Sequence, residues 1–460
     1  MFNVYNGGMM ASAKFRKALS SHAGDIARLF LAPLLAVCLL SVCGDALSEA
    51  KADTGGKTVI TFVTWKPNLP GIWQEVLRQF MAEHPGIQVR RQIGPHSSTA
   101  FHDLLSQKLK NRSAEVDVFL MDVIWPPEFA SAGWALALNQ RFTPEEREKF
   151  FPAGIAANTW QGRIYGVPFN IDTGMLFYRR DLLKARGWDP PKTWPDLVRQ
   201  AKAVMADEKK AGRYFQGYSG QFKQYEGLVC DMLEFVLSNQ GQIIDPETGR
   251  CRLAQPAALE AVRFVRDEIM GRIAPRGLLM YQEPESLALF VQGRALFLRS
   301  WPYAWAVSND PRKSKIAGKV GIAPLPHFPG GQSRATLGGW QVGVSAYSRQ
   351  PDAAWAFVRF ITSRPVQKMF AIRGGRAPTR MDLYRDPEVL AAHPHFAEMR
   401  ESFVNAAPRP RSPLYPALSR CLQVYFSRAL SDPRADLEAL AQSTCRQIDE
   451  LMTLAGEAEK

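Results

Sequence analysis

Thr58-Val59-Ile60-Thr61-Phe62-Val63 opens the stretch that decides the fold, because a run of β-branched and aromatic residues predicts a strand. A helix follows, whose apolar residues fall on one face at helical spacing: Trp73, Val76, Leu77, Phe80 and Met81. Pro85-Gly86 ends this helix before a second strand at about 87–91. A strand, a helix and a strand in this order indicate a parallel sheet, so the sequence predicts an α/β fold.

The next strand places two side chains at a sheet edge. A helix over 100–109 precedes a strand over 116–121, which leads into Asp122 and Trp125. Ligands of open α/β sheets bind beyond the carboxyl ends of the strands, so we expect both residues at the rim of a cleft. Further strands are predicted at 164–168, 174–178, 295–298 and 320–324, with mainly helices between 194 and 290.

The first 48 residues of this 460-residue chain resemble an export signal, and the length of the remainder predicts two domains. A basic stretch precedes the apolar run 29–42, which is short for a membrane span. Leu40-Ser41-Val42-Cys43 is similar to a lipoprotein signal, in which Cys43 would be acylated; ordinary cleavage among the small residues at 46–50 is the alternative that we favour. A retained membrane anchor is the third interpretation.

Four cysteines follow the signal: Cys230, Cys251, Cys421 and Cys445. An even number in an oxidising compartment predicts disulfides, and proximity in the sequence favours the pairs 230–251 and 421–445. Four cysteines allow three pairings, and free buried thiols are the alternative. Because no C-x-x-C motif is present, a zinc site is not expected.

The formal net charge is +13, from 57 basic and 44 acidic residues. A basic surface is compatible with nucleic acid, an anionic ligand or a membrane surface. The chain contains no block of lysine and arginine, and acidic residues are interspersed among the basic ones. We therefore expect a solvated surface and no nucleic-acid partner.

Catalytic and cofactor motifs are sparse. The sequence lacks G-x-S-x-G, H-E-x-x-H and G-x-x-x-x-G-K-[ST], so no cofactor or metal is expected. His393 and His395, the closest pair of the seven histidines, are separated by a proline and make a poor metal site. A glycosidase needs only two carboxylates, and residue types alone leave that open.

Several aromatic residues lie in predicted turns, beside glycine, proline or a carboxylate. Trp125 follows Asp122, Trp301 and Tyr303 flank a proline, and Trp340 follows two glycines. Aromatic faces stack on sugar rings, while carboxylates and guanidinium groups bind hydroxyls, so the pattern suits a carbohydrate site. The structural alternatives are a core role for Trp125 and helix capping for Asp122 and Asp172.

A longer series of motifs resembles one protein family. Val118-Phe119-Leu120-Met121-Asp122-Val123, followed by Trp125, Phe129 and Ala132-Gly133-Trp134, is similar to the D-V-F-L-M-D-V…W…F…SGW segment of extracellular solute-binding proteins of the trehalose/maltose-binding branch. The similarity continues in order through Tyr165-Gly166-Val167-Pro168, Asp172-Thr173-Gly174-Met175-Leu176-Phe177-Tyr178, Pro191-Lys192-Thr193-Trp194, Gly338-Gly339-Trp340 and Arg409-Pro410-Arg411-Ser412-Pro413-Leu414-Tyr415.

The resemblance implies a two-lobed, maltose-binding-protein-like fold with the ligand in the cleft between the lobes. The first lobe would comprise 57–168 and 325–361, and the second 169–324 and 362–460. The lobes would close on a sugar and present it to the permease of an ABC importer. Such a protein is not an enzyme, is exported to the periplasm as a monomer, and touches the membrane only through the permease or a lipid at Cys43.

The resemblance also implies the ligand contacts. Asp122, Asp172 and Arg409 would bind hydroxyls, Trp301 and Trp340 would stack, and Gly339 would let the backbone approach. Tyr303 and Trp125 are further candidates. Two departures, at Leu69 and at Ser97-Ser98-Thr99-Ala100-Phe101-His102, lie where the branch has an acidic residue and an arginine.

The sequence thus predicts a binding protein for a di- or oligosaccharide, with trehalose and maltose as leading cargoes. One alternative keeps the fold and changes the cargo to an anionic or phosphorylated sugar-like solute. The other is an exported glycoside hydrolase that uses Asp122 and Asp172.

Overall fold

The first sheet confirms the predicted parallel arrangement in the computed structural model of the protein. Strand β1 (Thr58–Thr64) pairs in parallel with β2 (Ile87–Ile93) and with β3 (Val118–Asp122). The long β11 (Ala335–Val344) pairs antiparallel with β3 and with β6 (Val167–Thr173), and in parallel with β12 (Ala406–Ala407). This register places Trp340 opposite Asp122 and Gly338 opposite Asp172.

The second sheet has four strands in the order β10-β7-β9-β8. These are β7 (Met175–Arg179), β8 (Gln216–Ser219), β9 (Ala295–Ser300) and β10 (Val320–Ala323). Strand β7 runs antiparallel to both of its neighbours, whereas β8 and β9 are parallel. A small hairpin is formed by β4 (Thr159–Trp160) and β5 (Arg163–Ile164).

Helices fill the connections. In the first half of the chain they are α1 (Pro70–Glu83), α2 (Ser98–Lys110), α3 (Pro126–Ser131), α4 (Pro144–Arg147), α5 (Pro152–Asn158), α6 (Arg180–Lys184), α7 (Trp194–Lys210) and α8 (Glu226–Ser238). They continue with α9 (Pro256–Phe264), α10 (Glu283–Val291), α11 (Ala304–Asn309), α12 (Pro351–Ile361), α13 (Arg364–Gly374), α14 (Pro387–Ala392), α15 (Tyr415–Ser431) and α16 (Leu437–Ala458). Single turns lie at Val265–Ile269, Leu278–Met280 and Met381–Arg385.

The chain passes from the first sheet to the second at Gly174, between β6 and β7. A Cβ atom at this position would lie 2.7 Å from Nη2 of Arg299 and would also collide with the Glu234 carboxylate. Glycine is therefore required where the backbone runs against this buried ion pair.

Two of the hydrophobic clusters show how the helices attach to the sheets. One covers the outer face of the first sheet, where Phe62 meets Trp73 of α1 and Phe357 of α12, and Trp73 meets Phe370 of α13. A larger cluster continues through α7, α8, α9, α15 and α16, with Trp194 and Phe235 stacked within it, their ring centroids 4.0 Å apart. The sheets are thus held by burial of large apolar side chains.

The disulfide differs from the predicted pairs. Cys251 bonds to Cys445, 194 residues further along the chain, with their Cα atoms 5.1 Å apart. Within the described residues, the buried Cys230 and the half-buried Cys421 are free thiols. The prediction of 230–251 and 421–445 is therefore wrong, because Cys230 lies on α8 in the core while Cys251 lies on a loop that meets α16.

The structure describes residues 56–66, 70–245, 247–396, 399, 403 and 406–458. The predicted signal peptide, Cys43 and the departure at Leu69 lie outside them. Across the described ranges, no helix combines the length and the apolar character needed to cross a bilayer. The residue numbers of the lobe boundaries stay a prediction.

Candidate functional site

A cleft opens where the strand ends of both sheets meet several helix starts. About 680 Å³ of space, including solvent at its mouth, is enclosed there. Its lining consists of Trp65, His96, Ser98, Asp122, Asp172, Glu226, Gly227, Cys230, Glu283, Trp301, Tyr303, Gly338, Gly339, Trp340, Arg376 and Arg409. These residues give the cleft both aromatic surfaces and polar groups.

Seven of the eight predicted site residues line the cleft: Asp122, Asp172, Trp301, Tyr303, Gly339, Trp340 and Arg409. Trp125 does not line it. The residue is 3% exposed, and its ring packs edge-on against Trp340, with ring centroids 5.8 Å apart. Trp125 therefore supports the wall from behind.

Aromatic rings form two walls of the cleft. Trp65, directly after β1, lies 5.1 Å from Trp340 between ring centroids. Trp301, directly after β9, is covered on one face by the Arg299 guanidinium at 4.0 Å. Arg299 is held in turn by Glu234, whose oxygens accept from it at 2.7 and 2.5 Å. This buried support fixes the orientation of the Trp301 ring.

Two glycines of β11 make room for these rings. A Cβ atom at Gly338 would lie 2.9 Å from the Trp301 ring. Gly339 has a φ of +134°, and a Cβ atom there would collide with the carbonyl oxygen of Asn170. Both positions require glycine, which explains the Gly-Gly-Trp motif physically.

Arg409 is held by protein carboxylates. Its Nη2 donates to Asp122 Oδ1 and its Nη1 donates to Glu226 Oε1, both at 2.8 Å. Burial alone would lower the pKa of Arg409, but the Asp122 and Glu226 carboxylates outweigh it and keep that pKa well above the usual range. Tyr415 and Ser419 also donate to Glu226. The network joins β3 to α8 and α15.

Asp172 and Arg376 keep bonding capacity for a ligand. Asp172 Oδ2 accepts from Asn170 Nδ2 at 2.7 Å, while Oδ1 is buried and has no partner among the described residues. Burial raises the pKa of Asp172 to about 6. The Arg376 guanidinium lies 5.2 Å from the Trp65 ring centroid and 5.6 Å from that of Tyr303.

Glu283, the first residue of α10, closes another side. Its Oε1 accepts from Trp301 Nε1 at 3.4 Å, and its Oε2 lies 4.0 Å from His96 Nε2. Together with Ser98, these groups add hydrogen-bonding capacity to the cleft.

Several lining residues were not predicted as ligand contacts from the sequence, namely Trp65, His96, Ser98, Glu226, Gly227, Cys230, Glu283, Gly338 and Arg376. The rule that predicted Asp122 could also have predicted Trp65, because Trp65 follows the end of a parallel strand. Glu226, Glu283 and Arg376 flank helices far apart in the chain, and local sequence carries no signal for their meeting.

The chemistry of the cleft is that of polar recognition. Aromatic faces, carboxylates and guanidinium groups can bind apolar ring surfaces and hydroxyls together. Among the described side chains, no group of three or more His, Cys, Asp or Glu residues could hold a metal ion. His393 and His395 pack against each other, with ring centroids 5.5 Å apart, away from the cleft lining.

Comparison with known proteins gives consistent matches. Residues 66–368 match the family described as bacterial extracellular solute-binding protein. A probable ABC transporter-binding protein of Deinococcus radiodurans is 38% identical over 331 residues, which cover 72% of this chain and 78% of the relative. A maltotriose-binding protein of Pyrococcus abyssi is 24% identical, covering 86% of this chain and 83% of the relative.

Among solved structures, maltose-bound T. maritima MalE3 is similar, with a TM-score of 0.81 and 36% identity. The match covers 86% of this chain and 100% of that one. The predicted two-lobed, maltose-binding-protein-like fold is thereby confirmed. The chain belongs to the family of bacterial extracellular solute-binding proteins.

Proposed function

We propose that the protein binds a neutral di- or oligosaccharide of the maltose or trehalose kind and delivers it to the transmembrane subunits of an ABC importer. The observation that carries this proposal is the lining of one cleft by three tryptophans, four carboxylates and two arginines. Tryptophan faces can stack on sugar rings while the polar groups bind hydroxyls. The maltose-bound neighbour and the maltotriose-binding relative support the same class of cargo.

The charge of the cleft favours a neutral cargo over an anionic one. Asp122 and Glu226 share Arg409, whereas Asp172, Glu283 and Arg376 belong to neither of its two ion pairs. Carboxylates therefore outnumber guanidinium groups, and an added anion would face net repulsion. The basic net charge of the chain does not extend to this site.

The mechanism that we propose is closure of two lobes around the cargo. Asp122 would belong to the first lobe (57–168 and 325–361), while Glu226 and Arg409 would belong to the second (169–324 and 362–460). Ligand contacts to both lobes would stabilise the closed state that the permease recognises. In this proposal the protein acts as an exported monomer, anchored by a lipid only if Cys43 is acylated.

Binding without catalysis is part of the proposal. In the hydrolase alternative, Asp122 and Asp172 would flank a glycosidic bond. Asp122 Oδ1 is instead engaged by Arg409 at 2.8 Å, which suits a fixed acceptor better than a general acid. Unchanged maltose after long incubation with the protein is the expected result, and accumulation of glucose would support the hydrolase.

Titration calorimetry with maltose, maltotriose, trehalose and the linear polyol mannitol tests the cargo. We expect one of the ring sugars to bind best, because rings present flat faces to Trp65, Trp301 and Trp340. Trp340→Ala should weaken that affinity by at least about tenfold, since buried tryptophans dominate such sites.

Tyr214→Ala is the matched control, because Tyr214 is 60% exposed and lies outside the cleft. It should bind like the unmodified protein. If no sugar or polyol produces heat or raises the melting temperature, the sugar proposal is wrong.

A further inference from the structure

Arg376 is a buried cation that faces the cleft. Arg376 is only 7% exposed, and no described residue forms a hydrogen bond or ion pair with its guanidinium. An unpaired charge in such surroundings is costly. Burial accordingly lowers the pKa of Arg376.

The backbone holds Arg376 in this place. Helix α13 ends at Gly374, and the next residue, Gly375, turns the chain with a φ of +61°. The Arg376 N–H donates to the Phe370 carbonyl at 3.3 Å. A Cβ atom at Gly375 would lie 2.7 Å from Ala306. Trp65 and Tyr303 then flank the guanidinium, with their ring centroids 5.2 and 5.6 Å from it.

Asp172 supplies a complementary unpaired atom in the same cleft. Its Oδ1 is buried without a partner in the described part of the chain, because only Oδ2 is used by Asn170. Arg376 and Asp172 attract each other, yet no nitrogen of Arg376 lies within the 4.0 Å of an ion pair with Asp172. An unused donor and an unused acceptor thus belong to residues that line the same cleft.

We propose that Arg376 and Asp172 form a subsite for one hydroxyl group of the cargo and that this subsite rejects a carboxylate. A hydroxyl can donate its proton to Asp172 Oδ1 and accept from Arg376 at the same time, which satisfies both groups. A ligand carboxylate could satisfy Arg376 only and would repel Asp172. The inference rests on the proposed function, and it assigns Arg376 a role in binding and in selecting neutral cargo.

Substitution of Arg376 tests the binding role. With maltose, or with mannitol if that binds better, Arg376→Gln should lower the affinity by about 10- to 100-fold, as for a lost hydrogen bond to a charged group. Arg376→Lys should fall between, because it keeps the charge but loses the planar fork. Arg373→Gln is the control, since Arg373 is exposed, lies three residues earlier and pairs with Glu75.

A double-mutant cycle tests whether both groups share one hydroxyl. If they do, Asp172→Asn combined with Arg376→Gln should cost little more than the larger single loss, because either substitution already breaks the bridge. Losses that multiply would show two independent contacts and would overturn the shared subsite.

The charge-selection claim predicts a gain of binding. Unmodified protein should bind maltobionate at least about tenfold more weakly than maltitol, which has the same open chain without the charge, or mannonate more weakly than mannitol, at pH 8. Asp172→Asn should reduce that difference or reverse it, because Arg376 then has no opposing carboxylate beside it. A variant that has misfolded cannot gain affinity, so a gain is informative.

The outcomes separate this inference from the proposed function. Failure of the unmodified protein to bind any sugar or polyol contradicts the proposed function. Normal binding that is unaffected by Arg376→Gln, in a variant with an unchanged melting temperature, contradicts the inference alone.

Discussion

Burial raises the pKa of Asp172 to about 6, because the carboxylate loses water and regains only part of its hydrogen bonding from Asn170. The folded protein therefore binds a proton at Asp172 more readily than the unfolded chain does. Between about pH 4 and pH 6, this group makes stability fall as pH rises, and above pH 6 its full penalty remains.

We predict opposite pH effects on stability and on binding. Asp172→Asn should raise the free energy of unfolding at pH 8 by up to about 3 kcal/mol, the equivalent of the raised pKa, and should have a smaller effect at pH 4. Affinity of the unmodified protein for its sugar should fall as pH drops through about 6, because the hydroxyl loses its anionic acceptor. Urea unfolding and calorimetry between pH 4 and pH 8 measure both.

Asp352→Asn is the control for this experiment, because its side chain is 87% exposed. It should change neither quantity measurably. A loss of stability in Asp172→Asn at pH 8 would show that the carboxylate supports the fold, and it would contradict the burial penalty inferred from the raised pKa.

At the scale of single residues, the sequence predicted the groups that follow strands or carry a family motif. Asp122 and Trp340 are of this kind, and both line the cleft. Arg376 was not predicted, because its place depends on a helix end turning towards a different part of the chain. Trp125 shows the converse: it lies in a turn beside Asp122, yet neighbouring rings bury it.

At the scale of elements, the Cys251–Cys445 bond attaches α16, the last described helix, to the segment between α8 and α9. Cys445 lies on α16, and Asp449 on the same helix accepts from the Cys251 N–H at 2.7 Å. Leu437, Ala441 and Ile448 of α16 are buried in the large hydrophobic cluster. Packing and the covalent bond therefore hold the same helix.

We predict that the disulfide stabilises the fold without shaping the cleft. Cys251→Ser combined with Cys445→Ser should lower the free energy of unfolding by about 2–5 kcal/mol, as expected for a bond that closes a long loop. Its sugar affinity should be unchanged, because neither cysteine lines the cleft. Denaturant unfolding and calorimetry provide the two readouts.

The matched control is Cys421→Ser, which removes a half-buried free thiol. Dithiothreitol should destabilise the unmodified protein and this control alike, and should leave the double variant unaffected. Equal stability of the double variant and the unmodified protein would contradict the prediction.

Prediction of the elements succeeded where periodicity is local and failed where pairing is remote. The strand–helix–strand unit from β1 to β2 could be predicted, because its apolar spacing is contained within one short stretch of sequence. The disulfide partners could not be predicted, because Cys445 on α16 bonds to a cysteine 194 residues earlier, and proximity in sequence does not indicate such a pairing.

At the scale of the whole molecule, Arg409 joins elements that the proposed division assigns to different lobes. Asp122 ends β3 of the first sheet, whereas Glu226 begins α8. The Glu226 N–H also donates to Thr99 Oγ1 of α2 at 3.2 Å, and Arg420 bonds to Asp103 at the surface. Several of these polar contacts are buried, so separating the lobes would expose or unpair them.

We predict that Arg409→Gln shifts the protein towards an open form. The variant leaves two buried carboxylates without their cation, which should cost about 3 kcal/mol in the closed arrangement. Small-angle scattering should then give a larger radius of gyration without ligand, and sugar affinity should fall by at least about tenfold. Arg409→Lys, which keeps a charge, should be intermediate and guards against simple misfolding.

Arg420→Gln is the comparison at the exposed Asp103 contact, where an ion pair contributes little. It should match the unmodified protein in radius and affinity. Identical scattering of Arg409→Gln and the unmodified protein, with or without sugar, would refute the role of Arg409 in closure.

The two-lobed architecture was predictable because ordered motifs along most of the chain resemble one family. The assignment of individual strands was harder to predict. Strand β11 lies late in the chain but pairs between β3 and β6, and β6 and β7 are separated by one residue yet belong to different sheets. Strand pairing of this kind depends on tertiary contacts and leaves no local sequence pattern.

Gly338 and Gly339 also limit how this protein can evolve. Any side chain at Gly338 would displace the Trp301 ring, and any at Gly339 would strain the backbone against Asn170. Substitutions at these two positions are therefore not available to a lineage that evolves to bind a new cargo. Mutational freedom remains at lining positions such as Ser98, whose side chain can change size or charge while Trp301 and Trp340 stay in place.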